Sequence, residues 1–178
     1  GRSHRHVGEI EQEILKLDRD GTGLQSIYLG GAGVNDLRLS PDRTQVLYLL
    51  GSVLHRVKVD GTGHQALPGY RSADWNADGS KVLAITNSQQ IVSMNPDGTG
   101  VSASLHDGSA GGGIGDIDVS QDGTKIACTA VPAGWPRIRT MNADGSGVVT
   151  HGIDGENASA PRWNSSGTRI VFEHMVRV

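Results

Sequence analysis

The chain has 178 residues, a formal net charge of −3 and one cysteine, Cys128. A slightly acidic balance without a clustered basic face excludes a nucleic-acid groove. No apolar run approaches the roughly 18 residues that a membrane span needs, and a lone cysteine excludes an internal disulfide. Twenty-six glycines with 20% charged residues suit one domain of many short strands and tight turns rather than disorder.

In chain order, the first expected element is a strand near Ile14 to Leu17 that runs into Asp18-Arg19-Asp20-Gly21-Thr22-Gly23. Its pattern returns before Asp60-Gly61-Thr62-Gly63, Asp97-Gly98-Thr99-Gly100 and Asp144-Gly145-Ser146-Gly147. Counting back from each Asp-Gly, the sixth residue is Ile14, Leu54, Ile91 or Ile138. The third is Leu17, Val57, Met94 or Met141, and the fourth is polar: Lys16, Arg56, Ser93 or Thr140. This alternation is that of a half-buried strand. Asp-Gly supplies the positive backbone angles of a tight hairpin. A faint likeness of Asp18 to Gly21 to a calcium loop fails, because the further acidic positions are missing.

A second motif alternates with the first: Leu39-Ser40-Pro41-Asp42-Arg43-Thr44, Trp75-Asn76-Ala77-Asp78-Gly79-Ser80, Val119-Ser120-Gln121-Asp122-Gly123-Thr124 and Trp163-Asn164-Ser165-Ser166-Gly167-Thr168. Each leads into an apolar run starting at Val46, Val82, Ile126 or Ile170. Ser-Pro-Asp-Gly suits a type I turn closed by a left-handed residue. Arg43 stands where glycine is wanted, so that turn is strained by about 1 kcal/mol or built differently.

The first motif recurs at roughly 40-residue intervals, the mark of a repeat architecture. Each unit reads as four strands: A before the second motif, B the apolar run, C ending at the first motif, and D, for example Val101 to Leu105. Such units suit propeller blades, which close radially and leave little exposed edge. The chain opens on C and D, runs through three full units and stops after A and B. The expected fold is therefore all-β, a propeller of four four-stranded blades. Blades 1 to 3 fall at 34–68, 71–106 and 115–152, and blade 4 is shared by 9–30 and 157–178. The strand near Ile14 is then to pair with the strand near Val171, within one chain or between two. Two further readings stay open: a homodimer forming an eight-blade ring, and a piece of a longer propeller.

Trp75 to Ala84 and Met141 to Gly147 resemble the blade repeat of TolB-like β-propellers, and the likeness runs from about Glu13 to Phe172. The resemblance implies the fold, and a role only weakly, because such blades occur in periplasmic binding proteins and as non-catalytic domains of peptidases and lyases. It implies a periplasmic or extracellular location.

Equivalent positions on the four A strands can be compared directly. Leu39, Trp75, Val119 and Trp163 are expected to pack between blades. The preceding Arg38, Asp74, Asp118 and Arg162 are expected to form an ion-paired ring near the axis. Asp36 and Asp116 would face the channel mouth and are the candidates for a small ligand or hard cation. No nucleophile elbow, zinc motif or phosphate loop is present, so no catalytic residue, metal or cofactor is assigned. Both long insertions, Asp107 to Gly115 and Val131 to Pro136, fall on one face of the propeller. There Trp135, with Arg71 and Asn35, is the candidate anchor for a protein or peptide partner. The expected function is a non-catalytic binding scaffold. The alternatives are a ligand or metal site at the channel mouth, and a non-catalytic piece of a larger enzyme.

Overall fold

The structure is a computed structural model, and it describes residues 12–30, 33–109, 112–151 and 157–175. Every sheet in it is an antiparallel run of consecutive strands. β1 (Gln12–Lys16) pairs with β2 (Gln25–Gly30). The first four-stranded blade is β3 (Val34–Leu39), β4 (Gln45–Leu50), β5 (Val53–Lys58) and β6 (Gln65–Leu67). The second is β7 (Tyr70–Trp75), β8 (Val82–Thr86), β9 (Gln90–Met94) and β10 (His106–Asp107). The third is β11 (Ile114–Val119), β12 (Lys125–Ala130), β13 (Arg137–Asn142) and β14 (Val149–His151). β15 (Asn157–Trp163) pairs with β16 (Ile170–Met175). This is the all-β propeller arrangement that the repeats imply, with three full blades flanked by two half-blades.

The shared fourth blade is not assembled. β1–β2 and β15–β16 are separate two-stranded sheets: Ile14 pairs with Tyr28, as strands C and D should, and among the described residues β1 does not pair with the strand near Val171. Each half-blade is held by its neighbour instead. Ile14 and Ile27 pack on Val46, Tyr48 and Val57 of the first blade, while β15 lies against β11 and β12 of the third. Among the described strands, the outer edges of β1 and β16 stay unpaired.

The four copies of the first turn motif share one hydrogen-bond pattern. Asp18 N–H donates to the Thr22 carbonyl, Gly21 N–H donates back to the Asp18 carbonyl, and Asp20 Oδ1 accepts from the Thr22 amide and hydroxyl at 2.9 and 2.7 Å. Asp60, Asp97 and Asp144 repeat these bonds. Both glycines of each turn are left-handed and the aspartate is not, so they are type I turns rather than the expected mirror form. The second motif closes one residue later, Ser40 N–H donating to the Gln45 carbonyl and Arg43 N–H donating back to the Ser40 carbonyl, with Arg43 at φ +60° in the glycine place. The strain there is thus accepted rather than avoided.

The outermost strands are short. β10 has two residues where a strand over Val101 to Leu105 was expected, and the backbone of that segment meets β9 through Ser102 N–H to Ser93 O and Leu105 N–H to Ile91 O, both 2.8 Å, with Ser93 N–H donating to Ser102 Oγ at 3.0 Å. Brief outer strands leave little edge for unwanted pairing.

The core lies in the seams between blades. One seam gathers Leu47, Leu54 and Leu67 from the first blade with Trp75, Val82, Ala84 and Met94 from the second. The next gathers Leu83, Ile85 and Ile91 with Ile117, Ile126, Cys128 and Met141. The expected burial of the four equivalent A-strand residues holds for Trp75, which is 4% exposed and donates Nε1–H to the Arg38 carbonyl at 3.1 Å. Val119 packs on the next seam. It fails for Leu39, 54% exposed, and Trp163 is half-buried. These two face the seams that border the half-blades, where covering strands are lacking.

Candidate functional site: the axis and the loop face

Each inner strand carries a β-bulge within three residues of its axial side chain, between Asn35 and Arg38, Tyr70 and Ser72, Gly115 and Ile117, and Ser159 and Arg162. A bulge re-aims the side chains that follow it. It brings the arginine and aspartate positions together. Arg38 lies 3.9 Å from Asp74, and Arg162 lies 3.8 Å from Asp118. Asp36, itself at φ +50° in the bulge, joins them, 2.7 Å from Arg38 and 3.6 Å from Arg162.

The aspartates have a second task that pairing of charges did not suggest. Asp74 Oδ2 accepts the Val119 amide of the next blade at 2.8 Å, and Asp118 Oδ2 accepts the Trp163 amide of the half-blade beyond at 2.7 Å. Each carboxylate thus clasps the following inner strand through its backbone. These bonds are shorter than the contacts to the arginines, and a carboxylate on an amide is a strong hydrogen bond.

Burial pushes the Asp74 carboxyl up to about 6, against the pull of the Val119 amide and Arg38, and the charge of Asp118 adds to the rise. Burial also raises Asp118. The folded protein therefore holds the Asp74 proton more tightly than the unfolded chain does. The stability this gives is full below pH ~3.8 and is lost as pH rises through about 6. Relative to Asp74→Asn, the wild type should lose on the order of 3 kcal/mol between pH ~4 and ~7. Melting curves of both proteins across that range check this, and a constant difference between them would refute it. The turn aspartates are held low, Asp60 by Thr62 and Asp122 by Ser120 and then Thr124, so their contribution falls away only in stronger acid and does not enter this window.

Asp36 is engaged by two arginines, and Ser72 Oγ approaches it at 3.4 Å. Two guanidinium groups on one carboxylate oppose a cation there. Asp116 is half-buried on β11. Among the described residues, no group of three or more His, Cys, Asp or Glu could hold a metal. Burial pushes the Cys128 thiol up to about 12, far from a nucleophile's range.

On the loop face the strand connections are tied into one strip. Arg71 Nη2 donates to the Ile114 carbonyl at 2.9 Å, and the Ile114 amide donates to Gln89 Oε1 at 2.8 Å. The Val131 amide reaches the Gly113 carbonyl at 3.0 Å. The loop then makes a 3-10 turn over Pro132–Gly134, and the Trp135 amide closes on the Pro132 carbonyl. The Ala158 amide donates to the Pro136 carbonyl at 2.9 Å, fixing the loop to β15. Trp135 is half-buried within this strip. Asn35 lies apart from it on the first blade, where its amide donates to the Gly33 carbonyl at 3.1 Å.

Two features escaped the sequence reading. A stack of Tyr28, His64, His55 and Tyr48 seals the first half-blade to the first blade, with successive ring centroids 4.7, 5.1 and 5.4 Å apart. Burial, then the charge of His64, holds His55 low. His55 and His64 belong to one repeat, and the reversal of the chain at Asp60-Gly61 brings their rings together while Tyr28 joins from the half-blade. The other is a cleft of roughly 360 Å³ against Ile138, Trp163, Ile170 and Phe172. A second cleft of the same size, lined by Leu39, Asp74, Trp75 and Val119, opens at the axis on the side of the tight turns. Neither cleft is lined by Trp135, Arg71, Asn35, Asp36 or Asp116.

No protein-family model and no curated protein sequence matches the chain. Solved structures do match. TolB from Acinetobacter baumannii is 15% identical and superposes over 89% of this chain and 42% of its own, at a TM-score of 0.72. A putative TolB from Agrobacterium tumefaciens is 16% identical over 84% of this chain and 73% of its own, at 0.54. A chain of the nidogen/laminin complex is 16% identical over 93% of this chain and 66% of its own, at 0.69. The chain therefore spans less than half the length of the Acinetobacter structure. At such low identity the likeness speaks of architecture, and together with the blades described above it makes this chain a TolB-like β-propeller fold.

Proposed function

We propose that the protein is a non-catalytic scaffold that binds a protein or peptide partner through the loop face. The observation that carries this reading is the hydrogen-bonded strip from Arg71 through Ile114, Gly113 and Val131 to Pro136, which holds Trp135 in a fixed setting across two blades and a half-blade. Preorganised loops on a rigid frame lose little entropy on binding, and an aromatic anchor concentrates interface energy. A chain of similar architecture that is a component of a protein–protein complex is in keeping with the reading. A location outside the cytoplasm belongs to the same proposal and fits the fold shared with TolB.

The test compares partners retained by the wild type with those retained by Trp135→Ala. The substitution should reduce capture of the specific partner at least tenfold, an effect of about 1.4 kcal/mol or more, while the melting temperature barely moves. Asn35→Ala, away from the strip, is the control for general surface damage. An unchanged set of partners for Trp135→Ala would rule the loop face out. The channel-mouth alternative gains no support from Asp36, whose charge is already met by Arg38 and Arg162.

A further inference from the structure

The same two positions face every seam between blades, and what stands there differs from seam to seam. One is the D-strand residue opposite the sixth before the Asp-Gly turn: Tyr28, Leu67 and His106. The other is the fifth residue before the next Asp-Gly: His55, Val92 and Arg139, opposite Tyr48, Ala84 and Cys128 of the B strands. Between the first and second blades both positions are apolar and buried, as Leu67 and Val92. Packing therefore does not require the titratable groups that the seams on either side carry.

Between the second and third blades the two positions touch. Arg139 Nη1 lies 3.1 Å from His106 Nε2. A guanidinium offers only N–H donors, so the imidazole nitrogen is the acceptor, which it can be only without a proton. Protonated His106 would set a second cation at that distance, donor against donor. Little nearby offsets this. On the facing strands Arg137 follows Arg139 on the same face of β13, and Cys128 stands opposite on β12. Of the nearby carboxylates, Asp107 is bonded to the Ser109 amide and Asp144 to Ser146. Burial, then the charge of Arg139, holds His106 below its ordinary value against the pull of Asp107. The stability this gives is full above pH ~6.5 and is lost as pH falls from there through the lowered value. The first seam repeats the theme. There His55 is stacked on His64, and its Nδ1 is buried without a hydrogen-bond partner among the described residues.

We infer that the outer half of the seam between the second and third blades is a proton-operated latch, closed while His106 accepts from Arg139 and released in mild acid. The inner half works in the opposite sense. Asp74 clasps the Val119 amide across this same seam, and the proton it keeps in the folded protein favours the closed axis in acid. Acid thus parts the two blades at the rim about a fixed axis, baring the buried Cys128. The inference stands apart from the loop-face reading, since it uses none of those residues.

Cys128 is the one cysteine of the chain and lies opposite Arg139, so its labelling reports the opening. The probe is dithiodipyridine, which reacts with thiols in mild acid, and each rate is divided by that of glutathione at the same pH. For the wild type this ratio should rise about tenfold between pH ~7.5 and ~5, with the far-ultraviolet dichroism unchanged. In His106→Gln, whose amide oxygen accepts from Arg139 at either pH, it should stay within about twofold. His106→Leu/Arg139→Val, which installs the apolar pair of the neighbouring seam, should be equally flat. A wild-type ratio that does not change overturns the inference, as does a loss of dichroism at the lower pH, which would mean global unfolding. A rise in both variants as large as that of the wild type overturns it too, because some other group would then open the seam.

Discussion

Replacing Trp75 by alanine is expected to lower the unfolding free energy by about 3 to 5 kcal/mol, the range for removing a large side chain from a packed interior. The indole fills the seam between the first two blades, surrounded by Leu47, Leu54, Leu67 and Met94, and its Nε1–H satisfies the Arg38 carbonyl. Loss of the ring leaves a cavity that those residues cannot close, and it leaves that carbonyl without its indole donor. Trp163→Ala should cost distinctly less, although the repeat places both tryptophans at the same position, because Trp163 is half-buried beside an open cleft. Denaturant midpoints of the two variants check the order. Equal losses would mean that Trp163 is as well covered as Trp75.

The second large effect is expected at Gly145. Alanine there must adopt φ +85°, and its Cβ would run into the backbone carbonyl of Leu105 in the neighbouring blade. Backbone cannot swing aside as a side chain can, so the seam between the second and third blades must open. Gly21 occupies the same place in its own turn at φ +84°, with nothing near its added Cβ. Gly21→Ala should therefore cost about 1 kcal/mol, the penalty of the left-handed conformation alone, and Gly145→Ala roughly 3 kcal/mol or more. The difference between these two chemically identical changes measures how closely the blades approach. Similar losses at both sites would show that the turn at Gly145 relaxes away from Leu105.

The blades could be read from the sequence because their turns are chemically explicit. Asp-Gly with Thr or Ser two residues after the aspartate states where the chain reverses, and Val82 to Ile85 or Ile126 to Cys128 states which strand is buried on both faces. The ring of Arg38, Asp74, Asp118 and Arg162 was legible as a set of charges at one strand position. Its clasp was not, since Asp74 binds the amide of Val119, and an amide has no signature in a sequence. The failure at Leu39 and Trp163 has another cause. A repeat pattern assigns each residue the burial of its equivalents, but burial depends on the neighbouring blade, which differs at the half-blades. Val101 to Leu105 has strand composition, yet its pairing with β9 is too sparse to hold a strand. The loop strip around Trp135 rests on backbone bonds from Gly113 and Pro136, and it too lay beyond sequence reading.

Because every sheet is built from strands adjacent in the chain, nearly all the backbone ladder forms over short loops. Short loops close at low entropic cost and quickly. A single blade can thus nucleate as soon as its own forty or so residues are available, and the rest can grow outward from it, as in other repeat arrays. The blade of β7 to β10 is the best nucleus, flanked on both sides by a full blade and sharing a packed seam with each. Native-state hydrogen exchange should then rank the amides of β8 slowest and those of β1 and β16 fastest. The protein would unravel from its two ends inward, so mechanical or thermal stress would reach the central tryptophan seam last.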